Sequence, residues 1–67
     1  MEIMDIINHS ITQYKRKKYV KDVKNHFLLT NFFIRKMEQT EKYTMEQIVK
    51  NVMALDYKND IIQWKEE

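Results

Sequence analysis

Sixty-seven residues with a net charge of +2 and no cysteine make one small domain, 1–67, that has neither disulfides nor thiolate metal sites to hold it together. With 33% charged and 43% hydrophobic residues the composition is that of a folded chain, not a disordered one. It contains no Gly and no Pro, which argues against tight hairpins and phosphate-cradling loops and leaves helices joined by Asn, Asp, Ser and Thr.

At this length a single core supplies only about 3–5 kcal/mol, so association with a second copy or a larger protein is the remaining source of stability. Acids follow Met1 at Glu2 and Asp5, and no apolar run approaches membrane length. The expectation is a cytoplasmic protein without signal peptide or membrane span. The lean toward Lys, Ile, Asn, Met, Tyr and Phe fits an AT-rich coding sequence, as in low-GC bacteria, their phages and mobile elements.

In chain order, Ile3, Ile7, Ile11 and Tyr14 share one helical face, whereas Tyr19, Val20, Val23 and Phe27 share a roughly opposite one. One straight helix cannot turn both toward one core, so a break is expected near Lys15 to Lys18. Ser10, three residues before Gln13, is an alternative cap. The second helix should run to about Leu29, and Thr30 or Asn31 should cap a third that carries Phe33 and Met37 and ends near Thr40.

The clearest local signal is Tyr43-Thr44-Met45-Glu46-Gln47-Ile48, in which Thr44 and Gln47 form a capping box and Tyr43 stands at the staple position opposite Ile48. Met45, Ile48, Val49, Val52 and Met53 then recur at the spacing of a buried stripe. Tyr57, Ile61 and Trp64 either continue that helix to the end or belong to a short terminal one capped by Asn59 or Asp60. The fold class predicted is all-α, a compact bundle of four to five short helices, with a C-terminal end that can be drawn as a helix-turn-helix. Against a DNA-reading role there, the turn has no Gly, and residues 37–67 hold four lysines against seven acids.

Residues 15–24 hold six cations and one acid. Drawn as a helix, Lys17, Lys21 and Lys24 form a stripe with Lys18 beside it, flanked by Tyr14 and Tyr19. Such a face can track phosphates, meet an acidic protein, or simply be solvated. The run Phe27 to Ile34 has six large apolar residues in eight positions, too many for one core stripe, so either Phe32, Phe33 and Ile34 are anchors at an interface or the run is a central helix junction buried from several sides. Trp64 is expected as a lid on the core, with an exposed anchor as the alternative.

Catalysis has little to draw on. His9 and His26 are far apart in sequence, Asp5 with His9 supplies only two metal ligands where a catalytic zinc takes three, and Ser10 cannot face its neighbour His9 on one helix. The expectation is a non-enzymatic protein with no catalytic residues, cofactor, metal or small-molecule substrate. It would be a small regulatory or inhibitory protein that binds a larger protein or a second copy through Lys17, Lys18, Lys21, Lys24, Tyr14, Tyr19, Phe32, Phe33 and Ile34. The alternative is a DNA- or RNA-binding regulator using the basic face Lys15 to Lys24.

Overall fold

A computed structural model describes residues 3–65. Three helices and a small two-stranded antiparallel sheet succeed one another in the order α1 (Ile3–Lys17), β1 (Lys18–Val20), α2 (Val23–Thr40), α3 (Met45–Lys58) and β2 (Ile62–Trp64). The bundle is therefore mostly helical, with three helices in place of the four or five expected.

The break expected near Lys15 to Lys18 is present. α1 stops at Lys17, with Lys15, Arg16 and Lys17 in its last turn at the negative end of the helix dipole. The next element is a strand, not a second helix. Lys18, Tyr19 and Val20 pair with Trp64, Gln63 and Ile62. The ladder extends past both ends, from Lys65 N to the Lys17 carbonyl at 3.1 Å and from Lys21 N to the Ile61 carbonyl at 2.7 Å. A chain without Gly makes no tight hairpin here; it brings the two strands together across two intervening helices.

α2 begins where the Asp22 carboxylate accepts from Asn25 N at 3.1 Å. It runs unbroken through the position at which Thr30 or Asn31 was expected to start a new helix. The reason is that Thr30 is buried and its hydroxyl donates to the His26 carbonyl at 2.8 Å, satisfying itself inside the helix instead of capping one. α2 ends at Thr40, as the sequence suggests, with Glu41 in the left-handed region at φ 53° and its N–H on the Met37 carbonyl.

α3 opens on the expected capping box, with Gln47 N donating to Thr44 Oγ1 at 3.2 Å and Thr44 N donating to Gln47 Oε1 at 2.9 Å. Ile48, Val49 and Val52 of its stripe are buried, and Met45 and Met53 are half-buried. The helix stops at Lys58. Asn59 and Asp60, the latter at φ 57°, turn the chain, and Ile61 N returns to the Asp56 carbonyl at 2.8 Å. Asp60 to Lys65 thus form a turn and a strand, so the second helix of a C-terminal helix-turn-helix is not formed.

The core has two apolar clusters. Ile6, Ile34, Ile48 and Val52 fill one, and Tyr14, Val20, Ile61 and Ile62 fill the other; Leu29 packs against both. Each buried aliphatic side chain contributes about 1.5–3 kcal/mol. Between them each helix contributes polar groups, all buried: Ser10 from α1, His26 and Thr30 from α2, and Asp56 from α3.

Candidate functional site

The buried polar groups form one connected set. His26 Nδ1 lies 2.7 Å from Asp56 Oδ2, and His26 Nε2 lies 3.2 Å from Ser10 Oγ. The Tyr14 ring meets the His26 ring edge-on, with centroids 5.0 Å apart. Burial, reinforced by the neighbouring Asp56 carboxylate, pushes the Tyr14 phenol well above its ordinary range. The Asp56 carboxylate adds to that shift by its charge and by accepting from the phenol, a contact looser than full hydrogen-bond geometry; Tyr14 Oη and Asp56 Oδ1 have no closer partner among the described residues.

Ser10, His26 and Asp56 stand in the hydrogen-bonding order of a nucleophile, a base and its orienting acid. Their surroundings fit a different role. Ser10 Oγ lies 3.2 Å from each of the Ile6 and Ile7 carbonyls, so it is tied back to its own helix. All three side chains are buried, and none lines any of the three main surface grooves. The set links three helices across the core. Sequence reasoning missed it because its members are sixteen and thirty residues apart.

The basic stretch does not form the lysine stripe expected of a helix. Lys17 closes α1, Lys18 lies in β1, Lys21 lies in the turn after β1, and Lys24 lies in the first turn of α2. Val20 is buried, Phe27 half-buried, and Tyr19 and Val23 exposed. Lys21 pairs with Asp60 at 3.0 Å, an exposed pair of little energetic weight. Lys18 reaches over two rings, its Nζ 4.7 Å from the Trp64 centroid and 5.1 Å from that of Tyr57. The same Nζ lies 3.1 Å from Met53 Sδ. Trp64, expected as a lid, is instead 61% exposed. Its strand carries it past the edge of the core, where it adjoins Tyr57 and Lys18.

Among the other candidate contact residues, Tyr14 and Ile34 are core residues and unavailable to a partner, and Phe33 is half-buried against the first cluster. Phe32 is 49% exposed and Leu28, one turn earlier, is 56% exposed. They line a groove of about 520 Å³ with Asn25, Leu29, Asn59 and Ile61. Exposed Lys24 precedes Leu28 by four residues, and exposed Lys36 follows Phe32 by four, so α2 presents a stripe of cation, apolar, apolar, cation. Lys36 Nζ lies 4.5 Å from the Phe32 ring centroid.

No helix among the described residues is long and apolar enough to cross a membrane. Comparison with protein-family models, with characterised proteins and with solved structures finds no match for this chain.

Proposed function

We propose that this chain is a small non-enzymatic regulatory or inhibitory protein that docks on a larger protein through the outer stripe of α2. The observation that carries the reading is the Lys24, Leu28, Phe32, Lys36 series. Two large apolar side chains stand exposed in the middle of the longest helix, beside a groove, and a cation brackets them at each end. A partner segment with two apolar anchors and acidic groups at both ends complements it.

A second copy of the chain fits less well. A two-fold axis through the stripe lays one Lys24 beside the other copy's Lys36, so like charges meet at both ends of the contact. The Phe27 to Ile34 run is then explained without requiring all of it at an interface, because Ile34 faces the core while Leu28 and Phe32 face outward.

Affinity capture from the source cell, with nuclease treatment, tests this by comparing wild type with Leu28→Ser/Phe32→Ser and with Lys24→Glu/Lys36→Glu. The exposed positions should leave the melting curve of the free protein nearly unchanged, within about 0.5 kcal/mol per site. A protein retained by wild type should be lost with the serine variant and weakened with the charge-reversed one. Each anchor should be worth about 2 kcal/mol, or roughly 30-fold. Equal retention of every captured protein by all three forms refutes the reading. So does a wild-type dimer, seen by light scattering, that the serine variant breaks.

A further inference from the structure

The ribbon end of the molecule carries a second, chemically different surface. Pairing of β1 with β2 brings Lys65 to the end of α1, where its Nζ lies 2.5 Å from the Lys15 carbonyl. Lys58, the last residue of α3, precedes the turn that Lys21 grips through Asp60. The fold therefore adds cations from the acidic C-terminal half to the basic N-terminal stretch.

Among the described residues, the acids near this end are committed elsewhere. Asp22 caps α2, Asp56 is buried against His26, and Asp60 pairs with Lys21. Among the described residues, Lys15, Arg16, Lys17, Lys18 and Lys65 have no carboxylate within ion-pair distance. A groove of about 330 Å³ is lined by Lys15, Lys18 and Lys65 together with Tyr19 and a floor of Ile11, Val20 and Val23, and among the described residues no acid lines it. Tyr19, on the groove face of the ribbon, is 52% exposed, and Trp64, paired with Lys18 on the other face, is the most exposed large apolar side chain among the described residues; Lys18 reaches both, lining the groove and lying over the Trp64 ring.

Uncompensated ammonium groups gathered around a groove attract a polyanion, and exposed rings beside them select one that offers flat faces. We infer that the ribbon end binds single-stranded nucleic acid, with phosphates on Lys15, Lys17 and Lys65, one base stacked on Tyr19 at the groove, and the strand carried round the end of the ribbon past Lys18 to stack a second base on Trp64. A duplex keeps its base faces inside the stack and offers these rings nothing. An acidic polypeptide satisfies the lysines but not the rings. This surface is separate from the α2 stripe, so its test does not depend on the docking reading.

Trp64 is the sole tryptophan, so its fluorescence reports on this site directly. Wild-type protein is titrated with a thymidylate oligomer of about 12 nucleotides, in the range one small domain covers. The same titration is run with the corresponding duplex and with polyglutamate. Saturable quenching is expected with the single strand only. If the three phosphates are neutralised, affinity should fall about 20-fold between 50 and 200 mM salt.

Anisotropy of a labelled oligomer extends the test to variants. Trp64→Ala should weaken binding about 5- to 150-fold, and Lys15→Gln/Lys65→Gln should flatten the salt dependence. Leu28→Ser/Phe32→Ser should bind as wild type does. Glu66 and Glu67, outside the described residues, come after Lys65 in sequence, and Glu66→Gln/Glu67→Gln should tighten binding. The inference is overturned if the single strand gives no saturable quenching at 50 mM salt. It is also overturned if duplex or polyglutamate quenches as strongly, or if Trp64→Ala binds as tightly as wild type with its helical signal intact.

Discussion

Asp56→Ala should be among the most damaging single substitutions in this protein. The carboxylate is buried and takes a 2.7 Å contact from His26 Nδ1, which is buried too. Removing it leaves a buried ring nitrogen without its carboxylate partner, and breaking a buried pair in this way costs about 3–5 kcal/mol. A chain of 67 residues has roughly 3–10 kcal/mol to lose, so the variant should be largely unfolded or close to it. Asp56→Asn keeps an acceptor for a ring N–H and should cost less. The double change His26→Leu/Asp56→Val removes both polar groups and should recover most of the loss, to within about 1–2 kcal/mol of wild type. Urea unfolding monitored by helical ellipticity gives each free energy, provided that the slopes agree. A cost below about 1 kcal/mol for Asp56→Ala, or a double variant as poor as the sum of its parts, would show that the polar layer does not act as one unit.

Particular backbone and side-chain positions have consequences of their own. Tyr14→Phe removes a buried hydroxyl whose contact with Asp56 falls short of full hydrogen-bond geometry and should change stability by no more than about 1 kcal/mol at pH 7 in chemical denaturation. Because the folded phenol holds its proton beyond the unfolded value of about 10, wild type should lose stability as pH rises past 10 by up to about 1.4 kcal/mol per unit. Tyr14→Phe should lack that contribution, which appears as the difference between the two pH profiles. Thr44→Ala should cost about 1 kcal/mol by opening the capping box, seen as a melting point lower by about 4–8 °C. Glu41 holds a left-handed conformation that costs a side-chain-bearing residue about 1 kcal/mol, so Glu41→Gly should raise the melting point; a lower one would refute the account of that helix end.

The parts of the fold legible in the sequence are those decided within one turn of chain. The Thr44 and Gln47 cap, the end of α2 near Thr40 and the break near Lys15 to Lys18 all depend on neighbouring residues, and all are present. The ribbon was not legible. Lys18 to Val20 and Ile62 to Trp64 are three-residue strands whose partners lie across two helices, and no hairpin signal marks either. Thr30 misled for a related reason. As a cap it starts a helix, but as a buried residue it bonds back one turn, and only the neighbouring helices decide which. The basic stretch was read as a helix because its apolar residues share a face. The strand places Val20 inward and Tyr19 outward by simple alternation instead.

The polar layer left a trace that can be read in retrospect. On α1, Ser10 stands four residues after Ile6 and four before Tyr14. On α3, Asp56 stands four after Val52 and five before Ile61; on α2, His26 and Thr30 run four apart into Ile34. Each is a polar residue at a core position of an otherwise apolar stripe, and buried polar groups are almost always satisfied. Four such intrusions on three helices therefore imply that at least one from each helix satisfies the others at one level of the bundle, as Ser10, His26 and Asp56 do. The same inference fixes the packing. Sliding α2 by one turn against its neighbours would carry His26 away from both Ser10 and Asp56 and set buried polar atoms against Ile6 and Val52 or against Tyr14 and Ile61. Apolar contacts tolerate such a shift far better than hydrogen bonds do, so the layer that divides the core is what selects one alignment of the helices. That alignment, in turn, turns Leu28 and Phe32 outward and brings Lys65 beside Lys15.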